Sequence, residues 1–539
     1  MTIDGPDRAS LNQRGSRPWH AAWPPTASLT LDYPRVPAWW LLERNVASFG
    51  DRVAVREVDY ATGAERRTTT YAALYRAAQG AATGLQALGV AAGTRVGLVL
   101  PNSRALIVGY YATWLAGGVV VPANPAARAG ELEIHLGDAE VGLVVGEAGS
   151  AADIAARRLG CSFIDTHAFE ELATRAPIAR PSGDANDLAA LLYTGGTTGP
   201  SKGVMLSHRN LVTNCIQFAE WYAFVPGEET CVAALPMFHS GGMSGAMNVP
   251  LYAGATLLVV ARFQAAGVAR AVSHYRATRL FGVPTMYIAL LADDEGRRAD
   301  YSHLKSCRTN AAPLPPAVKV AFDNLVGREV LVEGYGLTEA SPLTHANPIA
   351  RPRPGSIGIP LTDTDARIVD LDTRQECPIG KPGELLIRGP QVMSGYWRRP
   401  DETVVALDNG WLRTGDVAVM AADGYFSIVS RTKDVINTAG FKVWPREVEE
   451  VLYSHPAVHM AAVVGVPDSY RGEVVKACVV LKNAYQRAVS QADLRRYCRE
   501  RLTPYKVPRL VEFRADLPMT ASGKVLRDRL HNHPDPSDS

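Results

Sequence analysis

Residues 193–203 read YTGGTTGPSKG. An apolar run, LAALL, leads into the stretch, a strand-like VML follows it, and a helix candidate opens at Ser207. Gly195, Gly196 and Gly199 let backbone N–H groups turn toward an anion. The hydroxyls of Thr194, Thr197 and Thr198 add donors, and Lys202 adds positive charge. Such a loop suits a triphosphate. It is not a G-x-x-x-x-G-K loop, because Ser201 stands where that pattern needs glycine before the lysine. A lone cluster of this kind is as readily a flexible Gly/Thr turn, so its surroundings decide.

On both sides of the loop, helical stretches alternate with short β-rich runs. TYAALYRAAQGAATGLQALGV is followed by TRVGLVLPN, GGVVVPAN and VGLVVGE, and beyond the loop SHRNLVTNCIQFAEWY is followed by GATLLVVARF and REVLVEGYG. This alternation predicts parallel sheets covered by helices. Ser207 is the expected N-cap of the helix that follows the loop. From about Gly355 the chain turns to short strands and turns (ARIVDLD, GELLIRGP, DGYFSIVS), which predicts a β-rich subdomain. After the polar segment 430–445 a smaller unit reads helix, strand, strand, helix, strand and a last helix, KVLRDRLHN. The expected class is α/β: a large N-terminal domain of stacked sheets with flanking helices plus a β-rich subdomain, and a small α+β C-terminal domain. The expected divisions are an arm over 1–25, a nucleotide-binding domain over 26–432 and the small domain over 433–539.

The chain has 539 residues, too many for one ordinary core. Its formal net charge of +2 generates no field that would recruit nucleic acid. The seven cysteines are scattered with no C-x-x-C pair, which argues against a zinc site or a disulfide framework and for a reducing compartment. The first residues lack a signal-peptide core, no apolar run is long enough to cross a bilayer, and the last residues are not a peroxisomal address. A cytoplasmic protein is expected. Peripheral membrane contact and a homodimer stay open.

Four further segments follow the loop in order: EGYGLTEAS (333–341), GWLRTGDVAVMAADGYFSIVSRTKD (410–434), NTAGFKVWPREVEEVL (437–452) and LPMTASGKVLRDRL (517–530). With the loop, they resemble the signatures of the adenylate-forming superfamily, the AMP-binding acyl-CoA synthetases and their relatives, and most of all its fatty-acyl-CoA ligases. The resemblance covers essentially the whole chain after the arm. The chain departs from the family at Ser201, where proline is usual, and at Ala439, where glycine is usual.

The resemblance implies a role for each matching residue. Thr194, Gly195, Gly196, Thr197, Thr198, Gly199 and Lys202 would cradle the phosphates of ATP. Gly334, Tyr335 and Gly336 would lie against adenine, and Thr338 would contact the α-phosphate. Glu339, with Thr198, would hold Mg2+; the chemistry agrees, since a carboxylate beside a triphosphate needs a hard cation between them. Asp416 would accept both ribose hydroxyls and Arg431 would also reach the ribose. Lys433 would be the hinge about which the small C-terminal domain is mobile, and Gly440, Phe441 and Lys442 the loop presented toward coenzyme A in the thiol-transfer step. Lys524 would neutralise charge shared between the acid and the α-phosphate. Lys202, Thr338, Glu339 and Lys524 are thus the expected catalytic set.

LPMFHSGGMSGAMNVPLYAGATLLVVARF (235–263) resembles the acid-binding stretch of the fatty-acyl-CoA synthetases, with His239 as the gate and Gly241 and Met243 in an apolar wall. Gly282, Asn310, Ala311 and Ala312 would complete the pocket, Asn310 standing where many relatives have glycine. No aspartate occurs between 235 and 263, which argues against an amino acid substrate. The expected partners are therefore a carboxylic acid, ATP and coenzyme A, the acid being a medium- to long-chain fatty acid. An aryl acid or specialised metabolite, or a carrier protein in place of coenzyme A, remains the alternative.

Overall fold

The computed structural model describes residues 17–59, 61–178, 183–194, 201–486, 488–519 and 525–531. Strands 202–207, 188–194, 119–122, 95–99, 143–146 and 162–165 lie side by side in one sheet, with the two-residue strand 395–396 on its edge. The 119–122, 95–99, 143–146 and 162–165 strands run parallel, and 188–194 runs parallel to 119–122. The 202–207 strand is antiparallel to 188–194, because the two form the hairpin on either side of the Gly/Thr loop.

A nine-stranded sheet faces it, in the order 359–360, 343–346, 331–336, 306–309, 279–282, 230–233, 256–260, 53–58, 65–70. Its six inner strands are parallel and its edges antiparallel. Helix Arg104–Leu115 is buried along its entire length, as its nearly uninterrupted apolar sequence requires, with Ser103 capping its start at Leu106 N (3.1 Å). The two sheets are tied together by Asn102. Its amide donates to Leu235 O (2.8 Å) and accepts from Met237 N (2.8 Å), fixing the start of the segment that carries His239.

Helix His208–Trp221 starts as the sequence predicts. Ser207 Oγ accepts from Asn210 N (3.1 Å), and the Asn210 side chain returns a bond from Ser207 N (2.9 Å). Its polar residues recur at helical spacing on one buried face. Asn210 donates to Pro390 O and Val392 O, both at 2.9 Å. Asn214 exchanges bonds with Leu343 (2.8 and 3.1 Å), and Gln217 donates to Thr362 O (2.8 Å). Each buried amide is thereby satisfied by backbone of the neighbouring loops or of strand 343–346, at a net gain of about 1 kcal/mol per bond. One helix so positions the loops on which Glu339 and Tyr396 stand.

The β-rich subdomain is the antiparallel sheet of 365–369, 383–388, 411–420, 407–408 and 426–431. A fourth sheet, beginning with strand Ile436–Thr438, joins 441–443, 472–481, 458–468 and 510–513, with helices Pro445–Tyr453 and Gln491–Arg499 against it. The architecture is therefore the expected α/β one. Two local expectations fail. Where a last helix, KVLRDRLHN, is expected, the described residues 525–531 hold only a 3-10 turn over Arg527–Arg529. Arg527 is drawn to Glu449 (2.6 Å) and Asp434 (3.4 Å), while the Leu530 carbonyl accepts from Lys476 Nζ (3.0 Å) instead of continuing a helix. Residues 17–23, read as part of a polar arm, are docked: Trp19 is 2% exposed with its ring 5.7 Å from that of Phe426, and Trp23 donates to Pro360 O (3.1 Å). An indole's apolar area outweighs the polar residues around it. No helix among the described residues is long and apolar enough to cross a membrane.

Candidate active site

Thr194 and Lys202 are cross-strand partners at the mouth of the 188–207 hairpin. Gly195, Gly196, Thr197, Thr198 and Gly199, which lie between them, fall outside the described residues. Ser201 Oγ donates to Thr194 O (2.5 Å), so the residue that replaces the family's proline closes the base of the loop with a hydrogen bond. Lys202 Nζ lies 2.5 Å from Glu402 and 5.1 Å from the centre of the Tyr396 ring.

Tyr396 connects Lys202 to Glu339. Its hydroxyl donates to Glu339 Oε1 (2.9 Å), and the Glu339 carbonyl is fixed by Met393 N (2.8 Å). Burial raises the Glu339 carboxyl above its ordinary range, and the Tyr396 hydroxyl partly opposes that shift. A carboxylate so placed, in a turn that opens beside a lysine, suits a hard divalent cation carried on phosphates. Among the described residues there is no group of three or more His, Cys, Asp and Glu that could hold a metal by themselves.

Glu339 belongs to the turn Thr338–Ala340 that follows strand Leu331–Gly336. Gly336 is obligatory there: a Cβ would collide with the Pro342 carbonyl. Thr338 Oγ1 lies 3.2 Å from Ser240 Oγ, which joins the turn to the 235–243 segment. One strand residue earlier, Tyr335 donates to Asp416 Oδ2 (2.6 Å), and Arg431 Nε lies 3.4 Å from Asp416 Oδ1. Asp416 and Arg431 are directly opposed on strands Trp411–Met420 and Phe426–Arg431, so the sheet register makes this pair. Tyr335, expected against adenine, thus also holds the carboxylate expected on the ribose.

His239 is exposed at the opening of the next segment, its ring 4.6 Å from that of Phe238. Among the described residues, no atom beyond its chain neighbours lies within 4 Å of where a Gly241 side chain would start. Gly242–Asn248 is then wound as a π-helix in which Met243 and Met247 are fully buried. Gly282 is buried with Tyr287 against it. With its amide turned so that the nitrogen faces these carbonyls, Asn310 donates to Thr309 O (2.6 Å) and Gly334 O (3.2 Å), spanning strands Ser306–Thr309 and Leu331–Gly336. Ala311 has φ +73°, a left-handed conformation that a side chain resists. Ala312 follows it, half-buried.

Lys202, Thr338, Glu339, Asp416 and Arg431 are thus brought together, with Tyr335 and Tyr396 as the links. The C-terminal residues have other neighbours. Lys433 sits in the 3-10 turn Thr432–Asp434 that follows the Arg431 strand. Phe441 stacks on Tyr505 (4.6 Å) and Lys442 pairs with Asp372 (2.9 Å). Ala439 (φ +48°) and Gly440 (φ +83°) turn the loop, so the alanine that replaces glycine holds a left-handed conformation. Lys524 lies outside the described residues. Sequence reasoning missed Tyr396, Ser240 and Glu402. Only the SGYW stretch at 394–397, a Gly-aromatic turn opposite Val204 and Met205, offered a signal.

The family model for AMP-binding enzymes matches residues 42–397, and that for the AMP-binding enzyme C-terminal domain matches 447–524. A long-chain-fatty-acid–CoA ligase of Bacillus subtilis is 36% identical, covering 96% of this chain and 98% of its own. A feruloyl-CoA synthase of an Amycolatopsis species is 38% identical over 85% of this chain and 92% of its own. Among solved structures, the o-succinylbenzoate coenzyme A synthetase of Bacillus subtilis in complex with ATP and magnesium ion superposes with a TM-score of 0.82 at 27% identity, covering 93% of this chain and 100% of that one. The chain belongs to the AMP-binding enzyme family of adenylate-forming ligases.

Proposed function

We propose that the protein is an ATP-dependent acyl-CoA synthetase that activates a medium- to long-chain fatty acid as its acyl-adenylate and passes the acyl group to coenzyme A. The observation that carries the reading is the Tyr396 bridge between Lys202 and Glu339, set beside the Tyr335–Asp416–Arg431 group. Asp416 receives the ribose hydroxyls and Tyr335 lies along adenine, which fixes the nucleotide's position. Thr338 donates to the α-phosphate. Lys202 exchanges Glu402 for the phosphates of ATP. When bound, Mg2+ would sit at Glu339 and supply charge neutralisation on the phosphate oxygens.

The acid's carboxylate oxygen attacks the α-phosphorus, the bond to pyrophosphate breaks, and Lys524 neutralises charge on the attacking and α-phosphate oxygens. The small domain, residues 433–539, then turns about Lys433. This withdraws Lys524 and brings Gly440, Phe441 and Lys442 toward the acyl group. The coenzyme A thiol, losing its proton, attacks the acyl carbon, and AMP leaves.

Met243, Met247 and the π-helix that carries them support an apolar acid, and the Bacillus subtilis relative supports a fatty one. The feruloyl-CoA synthase relative favours an aryl acid as the second reading. A cytoplasmic location accords with the seven free cysteines. The test is AMP release with saturated acids of graded length beside benzoate and cinnamate, each with and without coenzyme A. The proposal expects a maximum among the longer saturated acids. A maximum on cinnamate would overturn the choice of acid and leave the ligase chemistry standing.

A further inference from the structure

Arg308 lies on strand Ser306–Thr309, two residues before Asn310. Side chains alternate across a strand, so Cys307 enters the core with Tyr287 and Phe322 while Arg308 points the other way. There the guanidinium carbon is 3.8 Å from the Phe218 ring centre, 4.3 Å from that of Tyr222 and 4.4 Å from that of Phe281. The residue is only 4% exposed. None of its three guanidinium nitrogens has a hydrogen-bond partner among the described residues, and neither does the buried Tyr222 hydroxyl. The buried carboxylate of Glu229 does not serve it, being held by Arg279 (2.8 Å), Lys305 (3.1 Å) and Thr278.

Beside the guanidinium is a cavity of about 20 Å3, bordered by Phe218, Gly245, Phe281 and Arg308. Gly245 lies on the π-helix that carries Met243, and the Phe281 ring is pressed so closely to it that a Cβ would not fit. Phe281 in turn precedes Gly282. Arg308 therefore stands directly behind three stretches read as walls of the acid pocket. Aromatic faces attract a guanidinium but give its N–H groups no acceptor, so a buried arginine in this setting is incomplete by five donors. A space of this volume takes about one oxygen atom with its hydrogens, not a chain.

We propose that Arg308 is a specificity-determining residue at the far end of the acid pocket. Its guanidinium receives a single hydrogen-bond-accepting oxygen on the distal end of the acid, so acids ending in a hydroxyl are preferred to methyl-ended ones. This rests on the reading of 239–248, 281–282 and 310–312 as the acid pocket. An unmet buried donor penalises a ligand that lacks the matching acceptor, and a charge-assisted bond rewards one that has it.

The test uses the full chain with ATP, Mg2+ and coenzyme A. It compares kcat/KM, from AMP release, for octanoate, dodecanoate and hexadecanoate with their ω-hydroxy and ω-carboxy counterparts. At the chain length that reaches Arg308, an oxygen-ended acid is expected to be preferred by about 10-fold or more. The preference is expected in the hydroxy arm, the carboxylate being larger than the space beside the guanidinium. R308L is expected to bring the ratio to about one, and R308K, which keeps charge and donors but loses the planar fork, to retain part of it. Should R308L not fold, the R308K ratio decides. No preference for an oxygen-ended acid at any length, or one that neither variant lowers, overturns the assignment. Absence of turnover with every acid overturns the ligase reading and this assignment with it, whereas turnover with equal ratios overturns the role of Arg308 alone.

Discussion

Asp416→Asn isolates the proposed ribose contact. Asp416 is 13% exposed, accepts from Tyr335 at 2.6 Å and faces Arg431 at 3.4 Å. The substitution keeps the shape but leaves one acceptor oxygen where the carboxylate had two, and it turns an N–H2 group toward either the tyrosine or the arginine. A hydrogen bond to a charged group contributes about 1.5–3 kcal/mol, and one such bond to a ribose hydroxyl is lost. The Arg431 pair adds little, because Arg431 is 34% exposed and solvent screens it. KM for ATP should therefore rise roughly 10- to 150-fold, with a smaller fall in kcat, since the ribose is held alike in the ground and transition states. The assay is acid-dependent ATP–pyrophosphate exchange with ATP varied, alongside thermal unfolding to establish that the fold persists. A KM within about twofold of wild type, or a loss confined to kcat, would refute the reasoning.

Three further outcomes are expected. Lys524→Ala should slow adenylation by about 10²–10³-fold while sparing thiolation of preformed acyl-adenylate, and equal losses in the two half-reactions would remove that division of labour. Asn310→Gly should broaden chain-length acceptance at a stability cost of about 1 kcal/mol, because it deletes the amide bonds to Thr309 and Gly334; an unchanged chain-length profile would count against Asn310 as a wall. His208 and His345 are buried, and desolvation holds them at about 4 and about 3. The unfolded chain takes up their protons near pH 6.5, so stability should fall as the pH drops from there toward 4, by about 1.4 kcal/mol per pH unit for each histidine. Unfolding temperatures measured across that window should show the decline, and His208→Asn should remove about half of it.

Periodicity made the sheets and their covering helices readable, since each strand and the helix after Ser207 carry their pattern within a dozen residues. The site residues were readable wherever a motif binds them in sequence, as in 333–341. Tyr396 was not, because its partners Lys202 and Glu339 are distant along the chain and meet only once the Asn210 face has anchored the 390–392 loop. Arg308 escaped notice for a related reason: a charged residue in a short strand looks like an exposed edge until the sheet buries it. Trp19 was misjudged through its polar neighbours, and the final helix through a pattern that ignored what Arg527 and Leu530 bind. Ser201 and Ala439 show how a departure from a family pattern is absorbed, one by a hydrogen bond across the loop and the other by a left-handed backbone.

The central claim is acid activation through an adenylate followed by transfer to coenzyme A. Its most direct test is to follow AMP, pyrophosphate and acyl-CoA together in one reaction of the full chain with ATP, Mg2+, dodecanoate and coenzyme A. Equal yields of all three are expected, with pyrophosphate exchange that requires the acid and not coenzyme A. Release of ADP and phosphate, or exchange indifferent to the acid, would contradict it.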